Sequence, residues 1–490
     1  MARLVVVSNR VPVPKTRGAQ AGGLAVALKE VLTPGAIWFG WSGRISADTS
    51  PVPAQVEARG VTYATLDLSK ADYERFYVGF ANSALWPLFH FRPSLVRFRR
   101  EDYVGYREVN RTLAEALAKL LTPGDIVWVH DYHLIPLARY LREAGIQNRI
   151  GFFLHIPFAP PSVLQTLPPV GELLADLCQY DLVGFQTREH ARDFRDSCER
   201  LLAARVDGDR IAFGGRVTRA EAHPIGIDAE PFERDAIRAS RSADTQRLAE
   251  SLHGRALAIG VDRLDYSKGL PNRFDAYARL LGQYPEHLQK VSFLQIAARS
   301  REDVVAYREL ARELDRLAGD MNGRFAEFDW TPLRYITRAA PRRTLAGFYR
   351  MARVGVVTPL HDGMNLVAKE FVAAQDSKDP GVLVLSHFAG AAEELTEALL
   401  VNPYDPDQIA DAMHRALTMK LDERRERHAA LRAKVFSTTA ERYAKLFLGS
   451  LRNGDGASSS AASPVGAALR KLAQTDWLNV EPQPARRRTR

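Results

Sequence analysis

IGVDRLDYSKGL, residues 259–270, carries a complete strand–turn–helix signal. The apolar run ends in a turn with Asp262, Arg263, Asp265 and Lys268, and Gly269 leads into a helical pattern. Because a helix returns the chain to start the next parallel strand, this unit predicts a parallel sheet. Ligands bind outside the carboxyl ends of the strands in such sheets, so the charged turn is a candidate ligand site.

The same alternation runs along the whole chain. Short apolar runs predict buried strands at 4–7, 126–129, 150–154 and 182–185, and again at 257–261, 291–296, 354–357, 382–385 and 399–401. Segments of helical period lie between them, at 106–121, 303–317, 343–352, 366–375 and 407–419. A length of 490 residues exceeds one ordinary core, so we expect two doubly wound α/β domains. Residues 38–100 are less regular, and we interpret them as insertions over the strand ends.

Composition narrows the function classes. No apolar run approaches the roughly 20 residues of a membrane helix, and we expect no secretory signal and no membrane partner. The net charge is +9, of which the segment after Arg452 carries +3. No nucleic-acid-binding module is recognisable, so the positive charge favours small anionic ligands over nucleic acid. Cys178 and Cys198 are expected to be buried free thiols, which fits a reducing cytoplasm.

Polar side chains follow the predicted strands of the first half. Arg10 comes just after the first strand, and Gly22 and Gly23 precede a helical pattern, where they form either a phosphate-facing turn or a simple turn. His130, Asp131 and His133 follow the strand at 126–129, and His155 follows the next one. The histidines lack a third ligand at suitable spacing for a metal, so Asp131 is better interpreted as a contact to a sugar hydroxyl. His155 is either a structural histidine or a ligand contact.

The second half gives a sharper pattern. Arg263 and Lys268 offer a forked and a point-charge contact, which suits a diphosphate, although a solvated charge cluster is the alternative. TPLHDGMNLVAKE, residues 358–370, predicts a helix that starts near Asn365 with its N–H groups facing an anion. Asp362 could then bind sugar hydroxyls and Glu370 a ribose diol, while helix capping alone would explain Asn365.

A series of motifs follows in order from Ser8 to about Leu395: SNRVPV, AGGLA, WFGWSG, LWPLFH, HDYHLIP, GFFLHIPF, PIGID, RLDYSKGLPNRF, TPLHDGMNLVAKE and GVLVLSHFAGAAEEL. Together they resemble glycosyltransferase family 20, the trehalose-6-phosphate synthases. The resemblance implies a GT-B fold, with two facing Rossmann-like domains and a last helix that crosses back to the first. It implies transfer of glucose from UDP-glucose, or GDP-glucose in some members, to glucose 6-phosphate with retained configuration. It implies no metal or other cofactor.

The resemblance also implies roles for individual residues. The acceptor would be bound by Arg10, Tyr77, Trp86, Asp131 and Arg301. The donor would be bound by Gly22, Gly23, Arg263, Lys268, Ala340, Asp362, Leu366, Val367, Ala368, Lys369 and Glu370. The residues closest to the chemistry would be His155, Arg263, Lys268 and Asp362, and α-anomer selectivity would rest on Trp86 and Ile156. Ala340 departs from the family pattern, where a bulkier residue often stands near the base, and this leaves the nucleotide preference open.

We expect residues 1–230 to form the acceptor domain, 231–435 the nucleotide-sugar domain, 436–452 the helix that crosses back, and 453–490 a flexible tail. The resemblance further implies a cytoplasmic homo-oligomer, a dimer or a tetramer, whose partners are its small-molecule substrates. Two alternatives stay open. One is a different GT-B glucosyltransferase with another phosphorylated acceptor, and the other is a non-catalytic sugar-nucleotide sensor.

Overall fold

The computed structural model describes residues 2–14 and 32–454. The predicted donor glycines Gly22 and Gly23, and the segment after residue 454, lie outside the described residues. Within them the chain forms two sheets flanked by helices, which confirms the predicted doubly wound α/β class.

The first sheet has ten strands among the described residues, in the order β3-β4-β2-β1-β5-β6-β7-β10-β9-β8. They are β1 (Leu4–Arg10), β2 (Ile37–Ile45), β3 (Ala54–Ala58), β4 (Val61–Leu68), β5 (Ile126–His130), β6 (Arg149–Phe153), β7 (Leu182–Phe185), β8 (Arg205–Asp207), β9 (Arg210–Phe213) and β10 (Arg216–Ala222). The strands from β4 to β10 in this order pair in parallel, while β3, β8 and β9 pair antiparallel at the two edges.

The second sheet is parallel throughout, with the order β13-β12-β11-β14-β15-β16. Its strands are β11 (Ala256–Arg263), β12 (Val291–Ala298), β13 (Leu333–Ile336), β14 (Val354–Val357), β15 (Val382–Ser386) and β16 (Leu399–Val401). In the part of the chain that the structure describes, the helices of seven or more residues are α1 (Tyr73–Leu85, a π-helix), α2 (Arg100–Ala118), α3 (Leu137–Glu143), α4 (Val170–Leu177), α5 (Arg188–Leu202), α6 (Ala229–Ala239), α7 (Ala243–Ser251), α8 (Leu270–Gln283), α9 (Val305–Phe325), α10 (Arg342–Met351), α11 (Leu366–Ala374), α12 (Pro406–Thr418), α13 (Leu421–Ser437) and α14 (Ala440–Asn453).

Both sheets contain the same strand order. Numbered along the chain, β4-β2-β1-β5-β6-β7 and β13-β12-β11-β14-β15-β16 each follow the dinucleotide-fold order 3-2-1-4-5-6. The order reverses between β1 and β5 in the first sheet and between β11 and β14 in the second. A crevice opens at each reversal, because the connections on its two sides leave in opposite directions. The fold therefore provides one ligand crevice in each half.

The interpretation of residues 38–100 as insertions is wrong for its first part. The strands β2 and β4 lie inside the sheet, and β2 pairs directly with β1. Gly40 hides this strand in the sequence, yet the structure needs a glycine there, because a Cβ would lie 2.0 Å from the carbonyl oxygen of Ser8. Glycine weakens a strand pattern, so a glycine required by close backbone packing makes the strand look like a loop.

The two halves are joined by two chain crossings that lie side by side. The first passes Gly226, where a Cβ would lie 1.6 Å from the carbonyl oxygen of Thr438 in the second crossing. Helix α6 then packs against α10 and α11. The division at residues 230/231 stays a prediction, and by its packing the whole of α6 goes with the second half.

After the second crossing, α14 lies on β6 and β7 of the first sheet. The ring of Phe447 stacks on Trp128 with centroids 5.0 Å apart. A Cβ at Gly151 or at Gly184 would come within 2.9 Å or 2.6 Å of the Phe447 ring, so both strands use glycine to admit it. The last described helix thus completes the core of the first half.

In the described ranges, no helix is long and apolar enough to cross a membrane. Cys178 and Cys198 are buried free thiols whose Sγ atoms lie 3.9 Å apart.

Candidate functional site

The crevice of the first sheet carries Arg10 and Asp131. Arg10 ends β1, and its guanidinium lies over Gly43, where a Cβ would come 2.5 Å from Arg10 Nε. Asp131 follows β5 with φ of 76°, and its carboxylate accepts a hydrogen bond from the His155 backbone N–H at 3.3 Å. Burial raises the pKa of Asp131 to about 6. The backbone hydrogen bonds from His155 and Tyr132 and the charges of nearby arginines act in the opposite direction.

A row of stacked rings leads from Arg10 toward the second half. The backbone of Arg10 pairs with Trp41, whose ring centroid lies 5.8 Å from that of Tyr77. Tyr77, on α1, stacks on His133 at 5.7 Å with ring planes 10° apart. Tyr132 continues the row to Trp86, with centroids 5.6 Å apart. The predicted acceptor residues Arg10, Tyr77 and Trp86 are therefore linked through one continuous wall.

Arg301 reaches this wall from the second half. Its guanidinium lies 3.6 Å from the centroid of the Trp86 ring and donates to the Tyr132 hydroxyl at 3.2 Å. It is fixed from behind by Asp265, in an ion pair of 3.1 Å. Burial acts to raise the pKa of Asp265, but the guanidinium groups of Arg301 and Arg263 lower it to about 2. Asp265 is therefore a permanent carboxylate that fixes the position of Arg301.

The crevice of the second sheet carries Arg263, Lys268 and Asp362. Arg263 ends β11, is exposed, and lies with its guanidinium 5.5 Å from the Trp86 ring centroid. Lys268 Nζ forms an ion pair with Asp362, to which Asn365 also donates at 3.0 Å. Burial acts to raise the pKa of Asp362, but the Lys268 ammonium holds it below its ordinary value. Among residues 2–14 and 32–454, the structure gives the guanidinium of Arg263 no hydrogen bond or ion-pair partner. Its charge is therefore available to a ligand.

The start of α11 faces the same crevice. Asn365, with φ of 79°, caps the helix by accepting from the Ala368 N–H at 3.3 Å. Leu366 and Val367 in its first turn are part-exposed. The first N–H groups of a helix lack partners within it, so they can bind an anion. Asn365 therefore does cap the helix, as the alternative interpretation expected, and its hydrogen bond to Asp362 places the helix start beside that residue.

Glu370 lies one turn further along α11. Its carboxylate pairs with Arg342 of α10 at 3.0 Å, and burial raises its pKa. Ala340 is part-buried two residues before Arg342. Arg342 links the two expected contacts, because its side chain pairs with Glu370 and its backbone follows Ala340 by two residues.

The side chain of Lys369 lies away from the ligand crevice, so its place among the expected donor contacts stays a prediction for its backbone alone. It is fully buried, forms an ion pair with Glu394 and donates to the carbonyl oxygen of Ile225 at 2.7 Å. A helix turns its neighbouring residues to different faces, and position 369 faces the crossing between the halves. Only the backbone of Lys369 remains a candidate for ligand contact.

His155 and Ile156 lie where the halves meet. A Cβ at Gly363, just after Asp362, would lie 2.1 Å from the His155 carbonyl oxygen. The His155 ring is hydrogen-bonded through Nε2 to His130 Nδ1 at 3.0 Å and through Nδ1 to Gln186 Nε2 at 3.4 Å. Burial lowers the pKa of His155 to about 3. The imidazole is neutral at physiological pH, so it can orient a substrate but is a poor proton donor. Ile156 is buried in the same cluster as Trp86.

Three functional residues had no role assigned from the sequence. Asp265 holds Arg301, and Arg342 holds Glu370. His90 is buried beside Trp86, whose carbonyl oxygen lies 2.8 Å from His90 Nδ1, and burial lowers the His90 pKa to about 4. The Asp265-x-Ser267 spacing was a usable signal, since the carboxylate accepts from the Ser267 N–H at 3.0 Å as in turns before short helices. The pairing of Arg342 with Glu370, 28 residues further along the chain, has no local signal, whereas the partner of His90 is the Trp86 carbonyl oxygen only 4 residues before it.

Comparisons with known proteins add to this geometry. The profile of glycosyltransferase family 20 matches residues 2–453. The trehalose-6-phosphate synthase of Sinorhizobium fredii is 48% identical over 456 residues, covering 92% of this chain and 98% of that protein.

Solved structures give the same result. A UDP-forming α,α-trehalose-phosphate synthase from Burkholderia xenovorans in complex with glucose-6-phosphate matches with a TM-score of 0.89 and 46% identity, covering 92% of this chain and 100% of that one. A structure described as trehalose-6-phosphate from E. coli bound with UDP-2-fluoro glucose matches with a TM-score of 0.88 and 44% identity, covering 92% and 99%.

Proposed function

The chain belongs to glycosyltransferase family 20 and has the GT-B fold, and from this premise we propose its reaction. It is a UDP-forming α,α-trehalose-phosphate synthase, which transfers glucose from UDP-glucose to glucose 6-phosphate and makes α,α-trehalose 6-phosphate. This is the first step of trehalose biosynthesis. The similar proteins with glucose-6-phosphate and with UDP-2-fluoro glucose bound support both substrates.

One observation carries the assignment within this molecule. Arg301, an expected acceptor contact, and Arg263, an expected donor contact, both lie over the single ring of Trp86. Two phosphorylated substrates held by these cations would bring their sugars together at the boundary between the halves. Arg301 lies 3.6 Å and Arg263 5.5 Å from the centroid of this ring, which suits two anionic substrates that meet there.

For the donor, we propose that Arg263 and Lys268 bind the diphosphate and that the first turn of α11 contacts the nucleotide through its backbone. Glu370 would accept from the ribose hydroxyls, with Arg342 holding its carboxylate. Asp362 and the His155 backbone would contact the glucose. Gly22 and Gly23 stay predictions for the same site, and Ala340 leaves room beside the base.

For the acceptor, we propose that Arg10, Tyr77 and Arg301 bind the phosphate and that Asp131 accepts from a glucose hydroxyl. Trp86 and Ile156 would close the pocket around the sugar and select its α-anomer. The support is geometric, since Trp86 and Ile156 are buried, and Ile156 follows His155, whose N–H donates to Asp131 and whose carbonyl oxygen lies against Gly363.

The carboxylates near the reacting carbon are engaged, which supports transfer without a protein nucleophile. Asp362 is paired with Lys268, and Asp131 accepts from the His155 N–H. We propose that the acceptor 1-hydroxyl attacks the anomeric carbon from the face that the diphosphate leaves. The C1–O bond to the donor breaks with its electron pair on the departing phosphate oxygen, which takes the hydroxyl proton. The protein contributes positioning and stabilisation of the leaving charge.

We also propose that the enzyme works in the cytoplasm as a homo-oligomer, a dimer or a tetramer. The buried thiols of Cys178 and Cys198 are consistent with a reducing compartment. The oligomer rests on the family resemblance, and light scattering on the purified chain tests it.

The decisive experiment supplies glucose 6-phosphate with UDP-, GDP- or ADP-glucose in turn and detects trehalose 6-phosphate by mass spectrometry. We expect product, with UDP-glucose as the best donor. A parallel series replaces the acceptor by other sugar phosphates and by free glucose. Product with another phosphorylated acceptor instead would establish the alternative transferase, and donor binding without any product would establish the sensor.

A further inference from the structure

A second cluster of possible ligand atoms lies far from the transfer site. Helix α8 begins beside Lys268 and ends at Gln283, so its far end is roughly 20 Å away at about 1.5 Å per residue. The chain then forms a short turn, Pro285–His287, which packs near α12. Glu286 and His287 of this turn and His414 of α12 form what we call the histidine cluster.

The distances within the histidine cluster suit a metal ion. His287 Nε2 and His414 Nδ1 lie 3.0 Å apart, and Glu286 Oε1 lies 3.6 Å from His414 Nδ1. All three ligand atoms are within 4.8 Å of one another. Two nitrogens bound to tetrahedral zinc at about 2.0–2.1 Å are separated by roughly 3.3 Å, so little movement would be needed.

The surroundings hold the ligands in place. The ring of Tyr284 stacks on His414 at 4.0 Å with planes 10° apart, and its hydroxyl donates to Asp411 at 2.7 Å. His287 is 7% exposed, so its ring is held by the surrounding packing. The stacked ring of Tyr284 and the burial of His287 fix these side chains more firmly than a pair of solvated surface histidines would need.

We propose that Glu286, His287 and His414 bind a zinc-type divalent ion, with water as the remaining ligand, and that this ion ties the end of α8 to α12. Two imidazoles and one carboxylate favour zinc or a similar transition metal, whereas Mg²⁺ and Ca²⁺ prefer all-oxygen sites. The rival explanation is that the two rings only share one hydrogen bond.

The role we infer is structural. The two helices are already joined by an ion pair of Arg279 with Asp407 and by a hydrogen bond from Gln283 to Asp407 at 2.9 Å. A metal at the next turn would extend this contact across the end of α8. Because the histidine cluster lies at the far end of α8 from Lys268, we expect the metal to raise thermal stability and to leave the transfer chemistry nearly unchanged.

The test uses the untagged full-length chain after chelator treatment, with Zn²⁺ as the sole added ion. Equilibrium dialysis with elemental analysis should find one zinc per chain. His414→Gln and the milder Glu286→Gln should each weaken binding at least about 10-fold, since even changes to outer partners of metal ligands cost that much. The thermal midpoint should rise with zinc in the wild type and much less in His414→Gln.

His253→Gln is the matched control, because His253 is exposed and is not one of the three residues of the histidine cluster. It should bind zinc as the wild type does. Equal thermal midpoints of all variants without metal would show that each is folded. The proposal is overturned if the wild type binds no stoichiometric zinc, or if His414→Gln and Glu286→Gln bind it like the wild type. Either result would leave a hydrogen-bonded histidine pair.

Discussion

Lys268 is the residue whose loss should affect the chemistry most directly. Its ammonium lies at the end of the turn after β11, paired with Asp362. Since leaving-group charge develops at the diphosphate, we expect Lys268→Ala to lower kcat by about 100-fold or more at saturating substrates. The exposed Lys445→Ala is the control for loss of a lysine. An unchanged kcat in steady-state assays would remove Lys268 from the donor site.

Arg301 should instead act on the acceptor. Its position between Trp86 and Asp265 leaves a cation at the acceptor side of the ring. We expect Arg301→Ala to raise the KM for glucose 6-phosphate at least about 10-fold, a charged hydrogen bond being worth about 1.5–3 kcal/mol. The KM for UDP-glucose should change little, and Arg312→Ala on the exposed side of α9 should change neither. If free glucose is discriminated against as strongly as before, Arg301 does not bind the phosphate.

Asp131 gives the reaction a pH dependence. Burial raises its pKa to about 6, so the carboxylate becomes protonated as pH falls through that value. The phosphate of the acceptor also titrates near pH 6. We therefore plot the logarithm of kcat/KM for glucose 6-phosphate against pH. In the wild type we expect a limiting slope of about two on the acid side of this plot. Asp131→Asn should be slower and fall with a slope of about one; a slope of two in this variant would contradict the role of Asp131.

At the scale of elements, α11 combines a ligand-facing start with a buried anchor. Lys369 joins this helix to Glu394 and to the Ile225 carbonyl at the crossing between the halves. Lys369→Met leaves a buried carboxylate with a weaker partner, so we expect the free energy of unfolding to fall by about 3 kcal/mol. Urea unfolding measures this, and adding Glu394→Gln should restore part of the loss. Full stability with a raised KM for UDP-glucose would return Lys369 to the donor site.

Strands could be predicted where burial on both faces leaves an apolar signature. The runs at 126–129, 182–185 and 354–357 all lie within strands of the structure. The strands β2, β3, β4, β8, β9, β10 and β13 lie outside the predicted runs, and two cases show why. In β2, a glycine is needed at position 40 because the backbone of Ser8 lies against it, and the local sequence pattern does not show this contact. The short β8 and β9 are part-exposed and form an antiparallel edge, so they lack the apolar run.

Site residues could be predicted where the fold rule alone places them. Arg10, Asp131, Arg263 and Asp362 follow strands that border a reversal of strand order, and the sequence shows the ends of those strands. Pairings across the molecule could not be predicted in this way. The contact of Arg301 with Trp86 joins residues from different halves, and the burial of Lys369 depends on which helix face meets the crossing.

For the molecule as a whole, Phe447 of α14 is the side chain that closes the core of the first half. It is fully buried against Trp128 and between the glycines of β6 and β7. We expect Phe447→Ala to lower the free energy of unfolding by about 3–5 kcal/mol through the lost contacts and the cavity. The neighbouring Leu446 is 52% exposed, so Leu446→Ala should change it by no more than about 0.5 kcal/mol. Denaturant titration measures the free energy of unfolding. Similar decreases in both variants would contradict the packing of α14 on the first sheet through Phe447.

The position of α14 on the first sheet has a consequence for how the protein is made. Ribosomes deliver the chain from its N-terminus, and domains generally fold as they emerge. Here the contact of Phe447 with β6 and β7 can form only after residues 440–453 have been synthesised. The first half to be translated is therefore the last to be finished. The part of the core that Phe447 fills stays incomplete through most of synthesis.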